Sequence, residues 1–471
     1  MIGSPIEDRP LPSLSEAYRT VAVPKKTHPW RRLLAFAGPG YLVSVGYMDP
    51  GNWGTDIAGG AKYGYALLWV ILASNLMAIL LQTLCVRLGL VTEKDLAQAC
   101  RDYYKKPAAI ALWLLCEVAI IACDLAEVIG SAVALNLLLG VPLIWGVLIT
   151  GLDVLILLGL MRFGFRKVEA LIVTLVGTIA LCFALQLFYA HPDWGGIARG
   201  LVTPQLPDKE ALFISLGILG ATVMPHNLYL HSSIVQTRAY EKTSEGLRHA
   251  LRFATTDTVV ALGMAFFVNA AILIVAAAAF HARGQFEVAG LEKAHELLKP
   301  MLGGAAATAF AVALLASGQS STITGTLAGQ IVMEGFLKLH IAPWLRRLIT
   351  RMLAIVPAMV LIAASGGKDT VRLLIFSQVV LSMQLSFAIF PLLAFTSDKK
   401  RMGEHVNPLW LKLAGLVVCT LIAGLNIKLL WDTPQIGPRG VGAGVVGIAA
   451  FAAWVHWGYK EKNELAKQTE L

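Results

Sequence analysis

The chain has 471 residues, of which 56% are hydrophobic and only 15% are charged. Soluble proteins carry about 25% charged residues, so this composition excludes an ordinary soluble protein and indicates a polytopic membrane protein. The net charge of +9 does not indicate nucleic-acid binding, because the basic residues are spread over short loops and form no single patch. We expect neither a nucleic-acid partner nor an obligate protein partner. We expect the protein to be surrounded by a lipid bilayer.

Apolar runs predict about twelve helical membrane spans and an all-α fold. In chain order the spans cover 33–59, 64–90, 108–136, 141–160, 167–190, 211–237, 251–280, 302–334, 343–364, 370–395, 408–430 and 441–458. The polar stretch before them lacks the apolar core of a cleaved signal peptide. The chain therefore divides into an N-terminal tail (1–32), spans 1–5 (33–190), an extracellular loop (191–210), spans 6–10 (211–396), and spans 11–12 with a C-terminal tail (397–471).

Basic residues give the orientation of these spans. Lys and Arg are concentrated in the N-terminal tail, in alternate loops and in the C-terminal tail, whereas the intervening loops hold far fewer. Because positive loops stay on the cytoplasmic side, both termini are predicted to be cytoplasmic. The compact loops and the absence of Asn-x-Ser/Thr sites favour a bacterial cytoplasmic membrane.

Two matching motifs interrupt the first and sixth spans. They are Asp49-Pro50-Gly51-Asn52 and Met224-Pro225-His226-Asn227, both of the form x-Pro-x-Asn. Proline breaks a helix, and polar groups at membrane depth are tolerated only inside the protein or along a cavity. Five spans separate the breaks, so the second unit enters the membrane from the opposite side. This pattern predicts two inverted five-helix repeats with a binding site between the breaks.

The residue types at the breaks are those of metal ligands. Asp49 offers a carboxylate, Asn52 an amide oxygen and Met224 a thioether, and unwinding near 221–223 frees backbone carbonyls. A thioether favours Mn²⁺, Fe²⁺, Co²⁺ or Cd²⁺ over Mg²⁺ and Ca²⁺, which take oxygen ligands. The alternatives are a structural, salt-bridged role for Asp49 and ordinary packing for Met224.

Span three carries three acidic residues on one face. Asp124 lies about 20° and Glu127 about 80° from the direction of Glu117 around the helix. Buried acids of this kind predict a proton or cation path, although they could also pair with basic residues. His226 and His231 titrate near neutrality and are candidates for the same path, His231 being the weaker one.

Other polar residues in the spans allow more than one role. Arg346 and Arg347 are most simply interpreted as positive anchors at the cytoplasmic end of span nine, with a proton-exit role as the alternative. Gln378 and Gln384 in span ten could each complete a coordination shell. Three hydroxyl residues in span eight are expected to bond to the backbone, namely Ser320, Ser321 and Thr322.

These motifs resemble the Nramp family of proton-coupled divalent transition-metal transporters. The segments that carry the resemblance are 46–53, 221–231 and 124–127, and it covers essentially the whole chain. It implies a LeuT-type fold, with broken helices 1 and 6 and two extra C-terminal helices. One departure is Ser386, where relatives often have proline.

The resemblance also implies roles for individual residues. The metal would be held by Asp49, Asn52, the Ala221 carbonyl and the Met224 sulfur, with Gln378 joining in the occluded state. Proton movement would involve the residues Asp124, Glu127, His231, Arg346 and Arg347. The helix breaks themselves depend on Pro50, Gly51 and Pro225.

The resulting hypothesis is a transporter, not an enzyme, that imports Mn²⁺ or Fe²⁺ with protons by alternating access and needs no cofactor. Three alternatives stay open. One is an amino-acid or organic-cation transporter of the same fold. Another is a membrane-embedded metalloenzyme, although no His-Glu-x-x-His motif is present. The third is a passive channel.

Overall fold

Long apolar helices dominate the computed structural model, which describes residues 13–23, 29–152, 164–288, 290–339, 343–365 and 370–432. In this part of the chain, eight helical segments are long and apolar enough to cross a membrane. They are Leu68–Thr92, Lys106–Leu139, Phe165–Ala190, Lys209–Thr237, Ser244–Arg283, Gly304–Leu337, Thr370–Thr396 and Leu409–Trp431. The prediction of an all-α polytopic membrane protein is therefore confirmed.

The helices of the first half are numbered in chain order. They are α1 (Pro29–Phe36), α2 (Pro39–Val45), α3 (Pro50–Tyr63), α4 (Leu68–Thr92), α5 (Leu96–Tyr103), α6 (Lys106–Leu139), α7 (Leu143–Thr150), α8 (Phe165–Ala190) and α9 (Trp194–Val202). A 3₁₀ turn, Gly46–Met48, lies between α2 and α3. The first predicted span is thus interrupted, as expected.

The second half continues the numbering. Its helices are α10 (Lys209–Val223), α11 (Pro225–Ile234), α12 (Ser244–Ala279), α13 (Leu291–Leu302), α14 (Gly304–Leu337), α15 (Pro343–Ser365), α16 (Thr370–Thr396), α17 (Lys399–Met402) and α18 (Leu409–Asp432). The sixth span is interrupted between α10 and α11, which confirms the second predicted break. Short 3₁₀ turns follow α11, α12 and α17.

Most predicted spans match these helices within a few residues, but there are differences. The segment 191–210, predicted as a loop, contains α9, whose first turn is capped by Asp193 accepting from the Gly195 amide at 3.0 Å. The apolar part of α15 is short, Leu348–Val360. Most of the fourth span after α7 and the whole twelfth span lie outside the described residues. The division into repeats and tails stays a prediction.

Local sequence explains where many of these helices begin. Proline stands in the first turn of α2, α3, α6 and α11, where its missing N–H costs nothing. Asp95 and Gln98 form a reciprocal capping box at α5. Asp208 caps α10 by accepting from the Ala211 amide at 2.7 Å.

The segment before α1 is tied to the linker that follows α11. Strand β1 (Val21–Ala22) pairs in parallel with β2 (Arg238–Ala239). Arg238 is almost fully buried, and its guanidinium lies 2.8 Å from Glu169 of α8. This pairing is not predicted from the sequence, because two-residue strands leave no periodic signal.

Small residues allow the helices to approach closely around the two breaks. A Cβ on Gly130 of α6 would meet the Pro50 ring at 2.2 Å, and one on Gly318 of α14 would meet the Ser131 hydroxyl at 2.1 Å. Membrane helices pack through such small residues because lipid provides no hydrophobic drive for association. The interrupted first span is therefore held against α6.

Candidate metal site at two facing helix breaks

Asp49 forms the first break. Its backbone is extended (φ −69°, ψ 165°), and its side chain caps α3 by accepting from the Asn52 amide at 2.9 Å. The residue is fully buried and forms no ion pair with a basic side chain in the described part of the chain. The described residues therefore do not support the alternative in which Asp49 has a structural role in a salt bridge.

Met224 forms the second break in a different way. It lies at φ 30° and ψ 108°, a region that non-glycine residues rarely adopt and that costs roughly 1–3 kcal/mol. No side chain caps the following helix α11. The strain is held by surrounding structure, which is typical of functional sites.

Each break releases a backbone carbonyl. A helical carbonyl accepts from the amide four residues later, and proline has no N–H to donate. Pro50 therefore leaves the Gly46 carbonyl without its helical donor, and Pro225 does the same for Ala221. These carbonyls lie near the C-terminal ends of two helical segments, where the helix dipole is negative and favours a cation.

The two breaks face each other. A Cβ on Gly46 would lie 3.0 Å from the Met224 sulfur and 2.1 Å from Asn227 Nδ2. The Asn227 amide nitrogen is itself 3.6 Å from that sulfur. Glycine at position 46 is therefore what lets the second break come against the first.

Gln378 of α16 lies between the breaks. A Cβ on Gly51 would meet its Nε2 at 1.9 Å, and one on Gly220 would meet its backbone oxygen at 2.0 Å. Gln384 is also buried, but it makes no such contact with these glycines. Of the two glutamines predicted as candidates, Gln378 is the one adjacent to the breaks.

Several buried polar atoms here have no protein partner. Within the described residues, neither amide atom of Asn52 is hydrogen-bonded, nor are Asn227 Oδ1 and Gln378 Oε1. Buried polar atoms are normally satisfied, so such a group indicates a ligand or water. The described residues contain no group of three or more His, Cys, Asp and Glu arranged to hold a metal. The donors at the breaks are instead one carboxylate, amides, carbonyls and a thioether.

The acidic face of α6 approaches the first break. The Cys123 thiol lies 3.8 Å from Asp49 Oδ2 and 3.9 Å from Glu127 Oε1. Glu127 in turn pairs with the buried Arg351 at 3.2 Å and accepts from the Thr322 hydroxyl at 3.2 Å. A continuous polar chain therefore runs from Asp49 into α15.

The other predicted proton residues are distributed around this chain. Glu117 accepts two bonds from Arg346, at 2.9 and 3.1 Å, so Arg346 is a buried ion-pair partner and not a surface anchor. Asp124 is fully buried and interacts electrostatically with His226. The side chain of Arg347 lies outside the described residues.

His231 does not contact the break directly. Its Nδ1 donates to Gln82 Oε1 at 2.9 Å, and Gln82 Nε2 donates to the Tyr47 hydroxyl at 3.2 Å. Tyr47 belongs to the 3₁₀ turn just before Asp49. His231 is thus linked to the first break through two intervening side chains.

Sequence reasoning missed Arg351 and misjudged Thr322. Ser320 bonds to the backbone as expected, but the Ser321 hydroxyl has no hydrogen-bond partner among the described residues, contrary to the prediction. Thr322 donates to Glu127 and accepts from Arg351 at 2.9 Å. A signal was present, because Arg351 is a charged residue inside the apolar segment Leu348–Val360. A buried arginine requires a partner, and the acidic face of span three supplies one.

Comparison with known proteins agrees with this architecture. Residues 40–432 match the family described as natural resistance-associated macrophage protein-like, Nramp. A relative from Nostoc sp. named "Divalent metal cation transporter MntH" is 58% identical over 430 residues, covering 91% of this chain and 97% of the relative. A relative of the same name from Listeria monocytogenes is 58% identical over 426 residues, covering 90% and 95%.

Solved structures show the same fold. A manganese transporter from Eremococcus coleocola is 39% identical with a TM-score of 0.85, covering 95% of this chain and 98% of that one. Mhp1, a nucleobase-cation-symport-1 family transporter, has a TM-score of 0.57 at 14% identity, covers 86% and 95%, and supports the LeuT-type fold alone. With the family match spanning the breaks and the helices around them, this chain belongs to the Nramp family.

Proposed function

We propose that this protein imports divalent transition-metal ions, Mn²⁺ or Fe²⁺ and also Co²⁺ and Cd²⁺, together with protons. The observation that carries the proposal is the meeting of two helix breaks that present Asp49, Asn52, Met224 and freed carbonyls to one place. The printed names of the relatives, a divalent metal cation transporter and a manganese transporter, support the cargo. The host membrane is proposed to be the bacterial cytoplasmic membrane, with both termini inside.

The donor set explains why the cargo is a transition metal. Asp49 supplies the negative charge, and Asn52, Gln378 and the Ala221 carbonyl supply neutral oxygens. Mg²⁺ and Ca²⁺ are bound well by such oxygens alone. The Met224 sulfur replaces one oxygen with a softer donor, which favours later metals.

Burial of the site supports alternating access over a passive channel. Asp49, Asn52, Ala221, Met224 and Gln378 are all fully buried or nearly so. Cargo reaches them only after a rearrangement that opens one side. Related folds open and close by moving one repeat against the other around a fixed site, and each break lies in the first span of a predicted repeat.

The proton route is proposed to begin at Asp49 itself. Metal binding requires a deprotonated carboxylate, so metal and proton compete for this group. Cys123, Glu127 and Arg351 then extend the polar chain away from the site. The Glu117–Arg346 pair, Asp124 with His226, and His231 through Gln82 are further members of the proposed path.

Mn²⁺ uptake into proteoliposomes tests this function. Uptake is measured with and without an inward proton gradient, in the presence of excess Ca²⁺ or Mg²⁺, against protein-free liposomes. Saturable entry that external acid stimulates and Ca²⁺ scarcely inhibits is the expected result. Non-saturable flux would indicate a channel, and no entry through folded protein would favour an organic substrate.

A further inference from the structure

We infer that the sulfur of Cys123 is an additional metal-contacting donor, which with Met224 gives the site a two-sulfur side and strengthens the binding of thiophilic cations such as Cd²⁺. This inference rests on the proposed metal site. Cys123 lies on α6, is 3% exposed, and places its sulfur 3.8 Å from Asp49 Oδ2.

That separation suits two ligands of one ion. With the bond lengths of Zn²⁺, roughly 2.3 Å to sulfur and 2.1 Å to oxygen, angles of about 100° to 120° place the two donor atoms roughly 3.4–3.8 Å apart. The observed distance lies at the upper end of this range. An ion held by Asp49 can therefore contact Cys123 with little movement of either side chain.

The packing of Cys123 differs from that of the other cysteines. Cys85, Cys100 and Cys116 are buried in the main apolar core. Cys123 instead belongs to a small separate cluster with Ala119, Met224 and Leu381. Cys123, which lies 3.8 Å from Asp49, thus also shares its surroundings with the proposed thioether ligand.

Polar groups at the site give a second observation that indicates a ligand. Asn52 is fully buried, and within the described part of the chain both of its amide atoms lack a hydrogen-bond partner. Its backbone amide is bonded to Asp49, so its side chain belongs to the same break. The break that carries Asp49 therefore also carries a buried side-chain amide with no hydrogen-bond partner among the described residues.

Thiolate is a strong ligand for soft cations, and Cd²⁺ binds cysteine in this form. Binding therefore displaces the thiol proton, and Glu127 Oε1 lies 3.9 Å from the sulfur to receive it. The competing explanation is that Cys123 merely donates a hydrogen bond to Asp49 or Glu127. The two explanations predict different results for Cys123→Ser, because serine can still donate the hydrogen bond but has no soft donor atom.

The test uses the detergent-solubilised full-length protein. Cd²⁺ and Mn²⁺ affinities are measured by calorimetry for the wild type, Cys123→Ser and Cys123→Ala, with Cys116→Ser as the matched control on the same helix. The ultraviolet charge-transfer absorption of a Cd²⁺–thiolate bond is recorded for each protein. This absorption reports the bond itself and needs no transport activity.

We expect the absorption in the wild type and in Cys116→Ser, and its loss in both Cys123 variants, with Cd²⁺ affinity falling roughly tenfold or more and Mn²⁺ affinity changing less. Unchanged Cd²⁺ binding in Cys123→Ser would overturn the inference. So would the absence of the absorption in Cd²⁺-saturated wild type, which needs no variant to fold. If folded wild type binds neither metal, the proposed function itself fails.

Discussion

The two helix breaks have the same sequence form but are stabilised differently. The first is capped by its own side chain, since Asp49 accepts from the Asn52 amide. The second has no side-chain cap and holds Met224 at a strained positive φ. The first break therefore carries the charge of the site, whereas the second contributes neutral donors whose positions depend on the backbone.

The surroundings sharpen this difference. Asp49 is connected through Cys123 to Glu127 and Arg351, all of them polar or charged. Met224 packs against the same Cys123, but its other neighbours in that cluster are the apolar side chains of Ala119 and Leu381. We infer that the first break determines affinity and proton dependence and that the second determines which metal is accepted.

The largest effect is expected from Asp49→Asn. Removing the carboxylate at the first break should abolish saturable Mn²⁺ uptake and lower Mn²⁺ affinity by more than the roughly 10- to 100-fold that loss of an outer-shell partner costs. Uptake and calorimetry on the same preparation measure both, with monodisperse elution as the folding control. Full saturable uptake by this variant would show that Asp49 is not a ligand.

Glu127→Gln is expected to affect proton dependence more than metal binding. The glutamine amide removes the negative charge that faces Arg351 but keeps the size of the side chain. Stimulation of Mn²⁺ uptake by an inward proton gradient should be lost, while Mn²⁺ affinity changes less than for Asp49→Asn. The matched control is Glu296→Gln, which removes an exposed ion pair with Lys293. Unaltered stimulation would remove Glu127 from the proton route.

Met224→Ala is expected to change selectivity. Loss of the thioether should let Ca²⁺ compete with Mn²⁺ at roughly tenfold lower concentration, because Cys123 is then the one soft donor left among oxygens. Competition curves in proteoliposomes measure this, and Met333→Ala, another buried methionine, is the control. Identical competition in wild type and variant would argue against a thioether ligand.

The smallest effect is expected from Gly46→Ala. The added methyl group would meet Asn227 Nδ2 at 2.1 Å and so push the breaks apart. Overpacking of this kind costs about 1–3 kcal/mol of stability, and we expect a several-fold loss of Mn²⁺ affinity. Gly263→Ala, where a Cβ meets nothing within 4 Å, is the control. Equal behaviour of the two variants would mean that the breaks do not need this close contact.

The breaks could be predicted from the sequence because their signals are local. Proline interrupts a helix wherever it stands, and Asp49, Asn52 and Met224 lie beside the two prolines. Partners from distant helices could not be assigned in the same way. The choice between Gln378 and Gln384 depends on how α16 is rotated against the breaks, and the Glu127–Arg351 pair joins residues 224 positions apart.

Some features of the surface and of the linkers could not be predicted from the sequence either. Helix α9 lies in a segment predicted as a loop, because nine residues give too short a periodic pattern. Arg238 is one of the basic residues in the loop after span six, but it is buried and its guanidinium pairs with Glu169. The charge of a residue predicts that it lies at the end of a span, but it does not predict whether the side chain is exposed or buried in the protein.

The most direct test of the account is X-ray absorption spectroscopy of Cd²⁺ bound to the Cys123→Ser protein, in which the proposed thiol donor is absent. If both breaks hold one ion, the first coordination shell contains oxygen or nitrogen donors and one sulfur. That sulfur disappears in the Cys123→Ser, Met224→Ala double variant, and Cd²⁺ binding disappears when Asp49→Asn is added to Cys123→Ser. A shell of oxygen and nitrogen alone in Cys123→Ser, or a sulfur that survives in the Cys123→Ser, Met224→Ala double variant, would contradict it.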